Sequence, residues 1–542
     1  MLTKKLLFIV LALVLISGLI SIGCAQTQTT PASTQASTPA STAPKATTAT
    51  SAPPPTAQPK YGGVLKIISR GNGPLNLGIP GAAGSPSDPN CRRPAIETLM
   101  SLDSKGELTP NLATSWKYSS DFKSLTITLQ KGVKFHDGTD FNAEAAKYCL
   151  DMVRTSTSSS SLKSVTSVDM LDDSTIRLNT AAFDASLLFS VQSASMIVSP
   201  TALKTLGDEA KLHPVGTGPF KFVSYKRDQL LKFEKFEGYW QKGKPYLDGI
   251  DRVFIADTVT AIASFKAGEG HIITDTPASD VAALKATGLY DTITAWSASQ
   301  GFCGDSGTAD SPFANLKVRR AIAHAIDNEA IAKVVGVGMY PAANQLAPPD
   351  SWYYNPKVVG YPYNPEKAKQ LLTEAGYPSG FSTTITFRSD PRHLDVFTAV
   401  QSYLGKVGIT AKLDAADSAR LVQLITKGWN KQIIAFDQPA STGFDPGTAF
   451  LTNLSAKHTK FVSLAVFPDF DAKLAQANAE PDMAKRKAMF AELQKMVTDD
   501  YCMVMPIYIG ANTGAKTKTV HDCNIVQYSF HEWNPELVWI DK

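Results

Sequence analysis

Apolar residues recur along the chain at both strand and helix spacing. Residues 125–129 (Leu-Thr-Ile-Thr-Leu) alternate with a period of two and predict a strand. Residues 172–178 read as a two-aspartate turn followed by a second strand. A helix is predicted from four apolar positions at helical spacing: Val318, Ile322, Ala325 and Ile326. Strands and helices therefore interleave, which predicts lobes of the α/β class.

Capping signals predict the ends of several helices. Asn364 precedes Pro365, an order typical of a helix N-cap and the first helical residue, and Gly376 is predicted to end that helix. Asp327 is predicted to cap a following helix that ends at Gly336. These signals are local, so they predict where helices lie but not what the helices contact.

The first 23 residues have the order of a secretory signal peptide. Two lysines at positions 4 and 5 precede an unbroken apolar run over residues 6–16. Gly23-Cys24-Ala25 then resembles the lipobox of bacterial lipoproteins, in which the cysteine is lipidated and becomes the first residue after cleavage. We therefore expect a signal peptide over residues 1–23 and lipid attachment at Cys24. The alternative is a retained transmembrane anchor, because the apolar stretch is just long enough to cross a bilayer.

A segment of very low complexity follows the lipidation motif. Residues 27–59 are almost entirely Thr, Ser, Ala, Pro and Gln, with Lys45 as their only charge. Such a segment cannot bury enough apolar surface to offset its conformational entropy, so it is predicted to be disordered. Together with Cys24 it forms a predicted tether over residues 24–59, which leaves residues 60–542 as the folded body.

Composition narrows the class of this body. Across 542 residues, 53 basic and 49 acidic side chains nearly balance, which argues against a nucleic-acid-binding protein with its concentrated basic surface. Six cysteines are too few for a disulfide scaffold in a chain of this length. Lipidation of Cys24 would leave five, an odd number, among which Cys502 and Cys523 are the predicted intramolecular pair.

Five stretches of the body resemble the extracellular solute-binding proteins of family 5, which serve peptide, nickel and related ABC importers. They include Gly-Val-Lys-Phe-His-Asp-Gly at residues 132–138 and Val-Gly-Thr-Gly-Pro-Phe at residues 215–220. The five stretches occur in the order found in the family: 108–151, 213–239, 312–341, 363–381 and 468–507. On these motifs the chain is identified as a member of this family.

The resemblance implies an α/β fold of the two-lobed periplasmic-binding-protein type II-like class (cluster C), with an extra subdomain and a hinge cleft. The discontinuous first lobe is expected over residues 60–97, 198–300 and 505–542, the extra subdomain over 98–197, and the second lobe over 301–504. Ligand is expected to bind between the lobes, which close about the hinge.

The same resemblance implies a lipid-anchored, monomeric binding protein on the extracytoplasmic face of the cell membrane. It would capture a small ligand, above all a di- or oligopeptide, and deliver it to the permease and ATPase complex of an ABC importer. A nickel chelate, an oligosaccharide or another small solute is the alternative ligand. No nucleic-acid partner, cofactor, metal site or enzymatic activity is expected.

Six residues of the predicted second lobe are candidates for ligand contact. A peptide brings a charged amine and a charged carboxylate into a desolvated cleft, so each needs a partner of opposite charge. The ligand-proximal loop of the family matches residues 433–446, and a ligand-facing arginine is often found just before the helix containing residues 401–407. The candidates are Asp445 and Asp437 for the amine, Arg392 and Arg388 for the carboxylate, and Phe436 and Trp429 for an apolar wall. The alternative role of the two aspartates is turn formation. The two arginines could instead lie exposed to solvent, and the two aromatic residues could instead pack in the core.

One motif suggests different chemistry. Residues 304–307 (Gly-Asp-Ser-Gly) resemble the nucleophile motif of chymotrypsin-like serine proteases, which makes a secreted serine hydrolase the alternative from another class. The nearest histidine, His324, follows Ser306 within a predicted helix, whereas the histidine of those enzymes precedes the serine. The eight histidines of the chain form no short metal-ligand spacing.

Overall fold

A computed structural model describes most of the predicted folded body. The described residues are 58–70, 73–84, 88–103, 107–159, 161–349, 351–439, 445–523, 525 and 533–541. All described residues belong to one compact unit, which spans residues 58–542. The predicted signal peptide, Cys24 and the tether up to residue 57 lie outside the described residues. No helix in the described ranges is long and apolar enough to cross a membrane.

Strands β1 to β18 form the sheets of the described body. Their bounds are β1 Val64–Ser69, β2 Met100–Leu102, β3 Leu108–Pro110, β4 Ala113–Tyr118, β5 Ser124–Leu129, β6 Val165–Asp172, β7 Thr175–Thr180, β8 Phe220–Lys226, β9 Leu230–Lys235, β10 Gly249–Phe254, β11 Ile272–Thr274, β12 Tyr290–Gly304, β13 Ser382–Arg388, β14 Thr410–Ala416, β15 Ile433–Pro439, β16 Met505–Thr517, β17 Val520–His521 and β18 Trp539–Ile540.

Helices α1 to α14 lie between and around these strands. Their bounds are α1 Asp88–Arg92, α2 Ala143–Thr155, α3 Leu187–Ala194, α4 Pro200–Leu206, α5 Thr258–Lys266, α6 Ala278–Ala286, α7 Leu316–Ala325, α8 Asn328–Gly336, α9 Pro365–Glu374, α10 Pro391–Lys406, α11 Ser418–Lys427, α12 Pro446–Asn453, α13 Pro468–Ala479 and α14 Met483–Lys495. A π-helical turn, Met496–Asp500, follows α14 directly.

The largest sheet of the described residues has ten strands in the order β14-β13-β15-β12-β16-β11-β1-β10-β9-β8. Strands β13, β14 and β15 are parallel near one end, and β1, β10 and β11 are parallel near the other. Between these two groups lie β12 and β16, of 15 and 13 residues, which pair antiparallel along most of their length. These two long strands therefore join the two parallel groups.

The hydrophobic core is divided in the same way. A first core collects buried residues of β1, β10 and the four-stranded antiparallel sheet β4-β5-β7-β6, and it includes Ile293 and Ala295 of β12. A second core contains Phe302, from the other end of β12, together with residues of α7, α10 and β13. A third core lies around β15, α12 and α14. Strand β12 thus passes from one core to the next, although the predicted lobe boundaries stay a prediction.

Several predicted elements are confirmed because their end signals are local. The Asn364 side chain accepts a hydrogen bond from Lys367 N at 2.8 Å at the start of α9, and Asp327 caps α8 in the same manner. Gly376, just beyond α9, has a φ of +90°, a left-handed conformation that favours glycine. The strands predicted at residues 125–129 and after Asp173 are β5 and β7.

Candidate functional site

The carboxyl ends of β13 and β15 bring polar side chains together. These two strands are parallel, and open α/β sheets bind ligands just outside the carboxyl ends of their parallel strands. Helix α10 begins immediately after β13, so Asp390, its N-cap, and His393, in its first turn, lie at this edge. Asp437 lies near the end of β15. We call Asp390, His393 and Asp437 the acid–histidine cluster.

His393 is bonded to both carboxylates of this cluster. Its Nδ1 lies 2.7 Å from Asp390 Oδ2, and its Nε2 lies 3.1 Å from Asp437 Oδ2. Burial lowers the pKa of His393, but the hydrogen bonds and negative charges of Asp437 and Asp390 outweigh burial and raise the pKa overall. The imidazolium form donates from both nitrogens, so the protonated ring is the form that matches two carboxylate acceptors.

This arrangement predicts a pH-dependent contribution to stability. Because the pKa of His393 is raised in the folded state, its contribution is fully present below the ordinary histidine pKa and is lost as pH rises through the raised value. Urea unfolding of the wild type and of His393→Gln between pH 5.5 and 8.5 should show a stability difference that shrinks as pH rises. A difference that is constant or grows with pH would contradict the charged cluster.

Asp437 has one carboxylate oxygen free for another partner. Its Oδ2 bonds to His393, whereas its Oδ1 is shielded from solvent and has no hydrogen-bond partner among the described residues. A carboxylate oxygen in this state readily accepts a charge-assisted hydrogen bond. The geometry therefore leaves Asp437 able to receive a cationic donor while His393 fixes the orientation of its carboxylate.

The two predicted arginines both lie near this cluster, and both are exposed. Arg388 is the last residue of β13, and Arg392 lies inside the first turn of α10, not before the helix as predicted. Burial raises the pKa of Tyr508, and the positive charge of Arg392 opposes that rise. Tyr508 stacks on Tyr340 with ring centroids 5.6 Å apart, and the charge of Arg392 lowers the pKa of both hydroxyls against the effect of burial.

The other three candidates, Asp445, Phe436 and Trp429, are bonded to or packed against other residues of the fold. Both carboxylate oxygens of Asp445 bind the guanidinium of Arg486, and Oδ1 also accepts from Gly447 N. Phe436 and Trp429 are buried in the third core, where both rings contact Phe461. Their part in binding stays a prediction, and their contacts within the fold favour structural roles.

The serine motif is not arranged as a catalytic pair. Ser306 Oγ accepts a hydrogen bond from Ala465 N at 2.9 Å. The Nδ1 atom of His324 lies 2.8 Å from the carbonyl oxygen of Pro362, so the histidine bonds to backbone and not to the serine. Across the described ranges, no group of three or more His, Cys, Asp or Glu side chains is placed to hold a metal ion.

The predicted disulfide between Cys502 and Cys523 is wrong. Both cysteines are free thiols. Cys502 is buried in the second core, whereas Cys523 packs against the first core. Strand β16 lies between the two cysteines and carries the chain from one core to the other.

Two groups at this edge were absent from the sequence prediction. Asp390 and His393 carry a local signal, because an aspartate followed by proline begins a helix and brings the histidine onto the first turn. The second group consists of Ser299 on β12 and Gln438 on β15, which lie opposite each other and are completely buried. No sequence signal marks this second pair, since a serine and a glutamine in strands read as surface residues.

Comparison with known proteins adds independent evidence. A family model described as bacterial extracellular solute-binding proteins, family 5 Middle, matches residues 107–461. The glutathione-binding protein GsiB of Shigella boydii serotype 4 (strain Sb227) is 32% identical over 424 residues, which cover 74% of this chain and 80% of GsiB.

Solved structures of similar fold cover nearly the whole body. HbpA2 from Haemophilus parasuis matches with a TM-score of 0.78 at 23% identity, over 89% of this chain and 100% of that one. DppA from Helicobacter pylori in complex with the peptide STSA matches with a TM-score of 0.69 at 24% identity, over 89% and 99%. NikA from Brucella suis in complex with Fe(III)-EDTA matches with a TM-score of 0.75 at 22% identity, over 88% and 100%. The predicted two-lobed α/β fold class is thereby confirmed.

Proposed function

Because the chain belongs to the bacterial extracellular solute-binding proteins of family 5, we propose that it captures a di- or oligopeptide between its lobes and delivers it to the permease and ATPase complex of an ABC importer. The relative GsiB is named as glutathione-binding, and the DppA structure holds a peptide. The observation in this chain that carries the proposal is the unpartnered Oδ1 of Asp437.

An ammonium group is the ligand chemistry that suits this oxygen. A free peptide amine is positively charged at neutral pH, and burying it without an anionic partner costs several kcal/mol. Asp437 supplies the anion, while the hydrogen bond of 3.1 Å from His393 holds its carboxylate in place. The peptide carboxylate requires a cation, and Arg392 and Arg388, exposed at the same edge of the sheet, are the proposed partners.

Closure of the lobes would require bending of the two long strands, β12 and β16, that connect them. A ligand that contacts both lobes stabilises the closed form, because only that form offers both sets of contacts. Strands β12 and β16 connect the two parallel groups, and the register of β12 against β16 shifts twice, between Trp296 and Ala298 and between Gln300 and Gly301. We assign the hinge to this irregular stretch, since bulges bend strands locally.

The ligand is best tested directly. Native mass spectrometry of the protein purified without denaturation, followed by identification of the released small molecule, should detect a peptide. The NikA likeness favours a metal chelate as the second candidate, so a metal complex released in place of a peptide would replace the proposed ligand class. An oligosaccharide would do the same, and peptide cleavage by the purified protein would revive the hydrolase alternative.

We further propose that Cys24 anchors the protein to the extracytoplasmic membrane face through lipid. Each buried methylene contributes about 0.8 kcal/mol, and stable anchoring requires at least two hydrophobic signals, as a diacylglycerol supplies. Cys24→Ser should therefore move the protein from the membrane fraction to the soluble extracytoplasmic fraction, as measured by fractionation and immunoblotting. Retention of the variant in the membrane would favour an uncleaved apolar helix over residues 6–22.

A further inference from the structure

One row of side chains between β12 and β15 ends in a polar pair. On the face of this strand pair that contributes to the third core, Cys303 lies opposite Ile434, and both are buried apolar residues. Four residues further along the same face, Ser299 lies opposite Gln438, and both are completely buried. The row therefore changes from apolar to polar at the carboxyl end of β15.

Three polar atoms of this pair are unsatisfied. In the described part of the chain, Ser299 Oγ and both Nε2 and Oε1 of Gln438 have no hydrogen-bond partner. Burying such groups costs free energy, because their hydrogen bonds to water are lost and not replaced. Nearly all buried polar groups in proteins are paired, so a glutamine whose amide is unpaired at both ends calls for an explanation.

The position of the pair points to a ligand. Gln438 follows Asp437 directly in β15, at the edge where open α/β sheets bind their ligands. Ser299 lies in the short stretch of β12 between the two register shifts against β16. Bulges of this kind are over-represented beside functional sites, where they redirect side chains.

We propose that Ser299 and Gln438 form an amide subsite, which binds a peptide bond or carboxamide group of the ligand. A glutamine amide offers a donor and an acceptor, which match the C=O and N–H of a ligand amide, and the serine hydroxyl can serve either partner. Adjacent residues of a strand point to opposite faces, so a ligand lying across the carboxyl end of β15 would contact Asp437 and the amide subsite with different groups. The inference rests on the proposed peptide-binding function and adds to it a second point of recognition.

The test combines stability with affinity. Gln438→Leu removes the unsatisfied amide and keeps a similar volume, so the unliganded variant should have a higher Tm than the wild type. The same change should weaken binding of trialanine and of reduced glutathione at least tenfold in isothermal titration calorimetry. Ser299→Ala is a smaller change, and it should likewise raise the Tm and weaken peptide binding. This variant keeps the test valid if Gln438→Leu fails to fold.

Gln494→Leu is the matched control. Gln494 is also completely buried, and its Nε2 likewise has no hydrogen-bond partner among the described residues. It differs from Gln438 because its Oε1 accepts a hydrogen bond from Leu346 N at 3.2 Å and because it lies on α14, away from the sheet edge. Loss of that bond should lower the Tm and leave the affinity for both peptides unchanged. The two glutamines should therefore change stability in opposite directions.

Two outcomes would overturn the inference in distinguishable ways. A higher Tm with unchanged Kd in Gln438→Leu would show that the pair does not contact the ligand, and the proposed function would stand without the amide subsite. Failure of the wild type to bind either peptide would remove the proposed function, and the amide subsite with it.

Discussion

Asp445→Ala should lower the free energy of unfolding by about 3–5 kcal/mol, because it leaves a buried guanidinium without its counter-ion. Arg486 Nη1 and Nη2 lie 2.7 and 2.9 Å from the two carboxylate oxygens of Asp445. The side chains of Arg486 and Asp445 are 1% and 7% exposed, so water cannot replace the lost partner. A bidentate pair of this kind is strong only while both members are present.

The pair also joins three helices of the third core. Asp445 is the N-cap of α12 and accepts from Gly447 N at 2.9 Å. Arg486, on α14, donates through Nε to the carbonyl oxygen of Ala477 on α13 at 3.1 Å. Loss of Asp445 therefore removes a helix cap together with the ion pair. For this reason we expect a loss of unfolding free energy near the upper end of the range for single substitutions.

Equilibrium urea unfolding measures this effect, and the chain contains a second bidentate pair that lies closer to solvent. Arg420 binds Asp414 with the same bidentate geometry, at 2.7 and 2.6 Å, but the Arg420 side chain is half exposed. Arg420→Ala should cost less than about 1 kcal/mol. If Asp445→Ala instead left stability unchanged and abolished peptide binding, Asp445 would belong to the ligand site and not to the core.

The number of residues between two interacting side chains explains which features the sequence could predict. Asn364 and Asp327 cap helices that begin at the next residue, so short local signals were sufficient to predict these helix starts. Asp445 carried a correct local signal as well, because Asp-Pro begins α12. Its partner Arg486 is 41 residues away, and nothing in the sequence pattern indicates that these two side chains meet.

The candidate site was predicted only in part for the same reason. The family loop directed attention to Asp437, but its contact with His393 spans 44 residues and joins a strand to a helix. Phe436 and Trp429 were proposed as a cleft wall, yet an apolar aromatic side chain packs equally well against a core, and both are buried beside Phe461. Strand alternation predicts the two faces of β15 but not which face meets the ligand.

Asp437→Asn should weaken trialanine binding about 100-fold at neutral pH. The substitution keeps the shape of the side chain and an oxygen for the hydrogen bond from His393, but it removes the negative charge next to the proposed ammonium site. Loss of one partner from a buried, hydrogen-bonded charge pair costs about 2–5 kcal/mol, and 100-fold corresponds to about 2.7 kcal/mol.

Calorimetry with two ligands and a charge control separates this effect from others. N-acetyl-trialanine lacks the ammonium, so it should bind the wild type weakly and lose nothing further in Asp437→Asn. Asp395→Asn makes the same change of net charge at an exposed position on α10 and should leave the Kd for trialanine unchanged. Equal affinity of the wild type and Asp437→Asn for trialanine would remove Asp437 from the site, because an ammonium bound to its Oδ1 must respond to the loss of that charge.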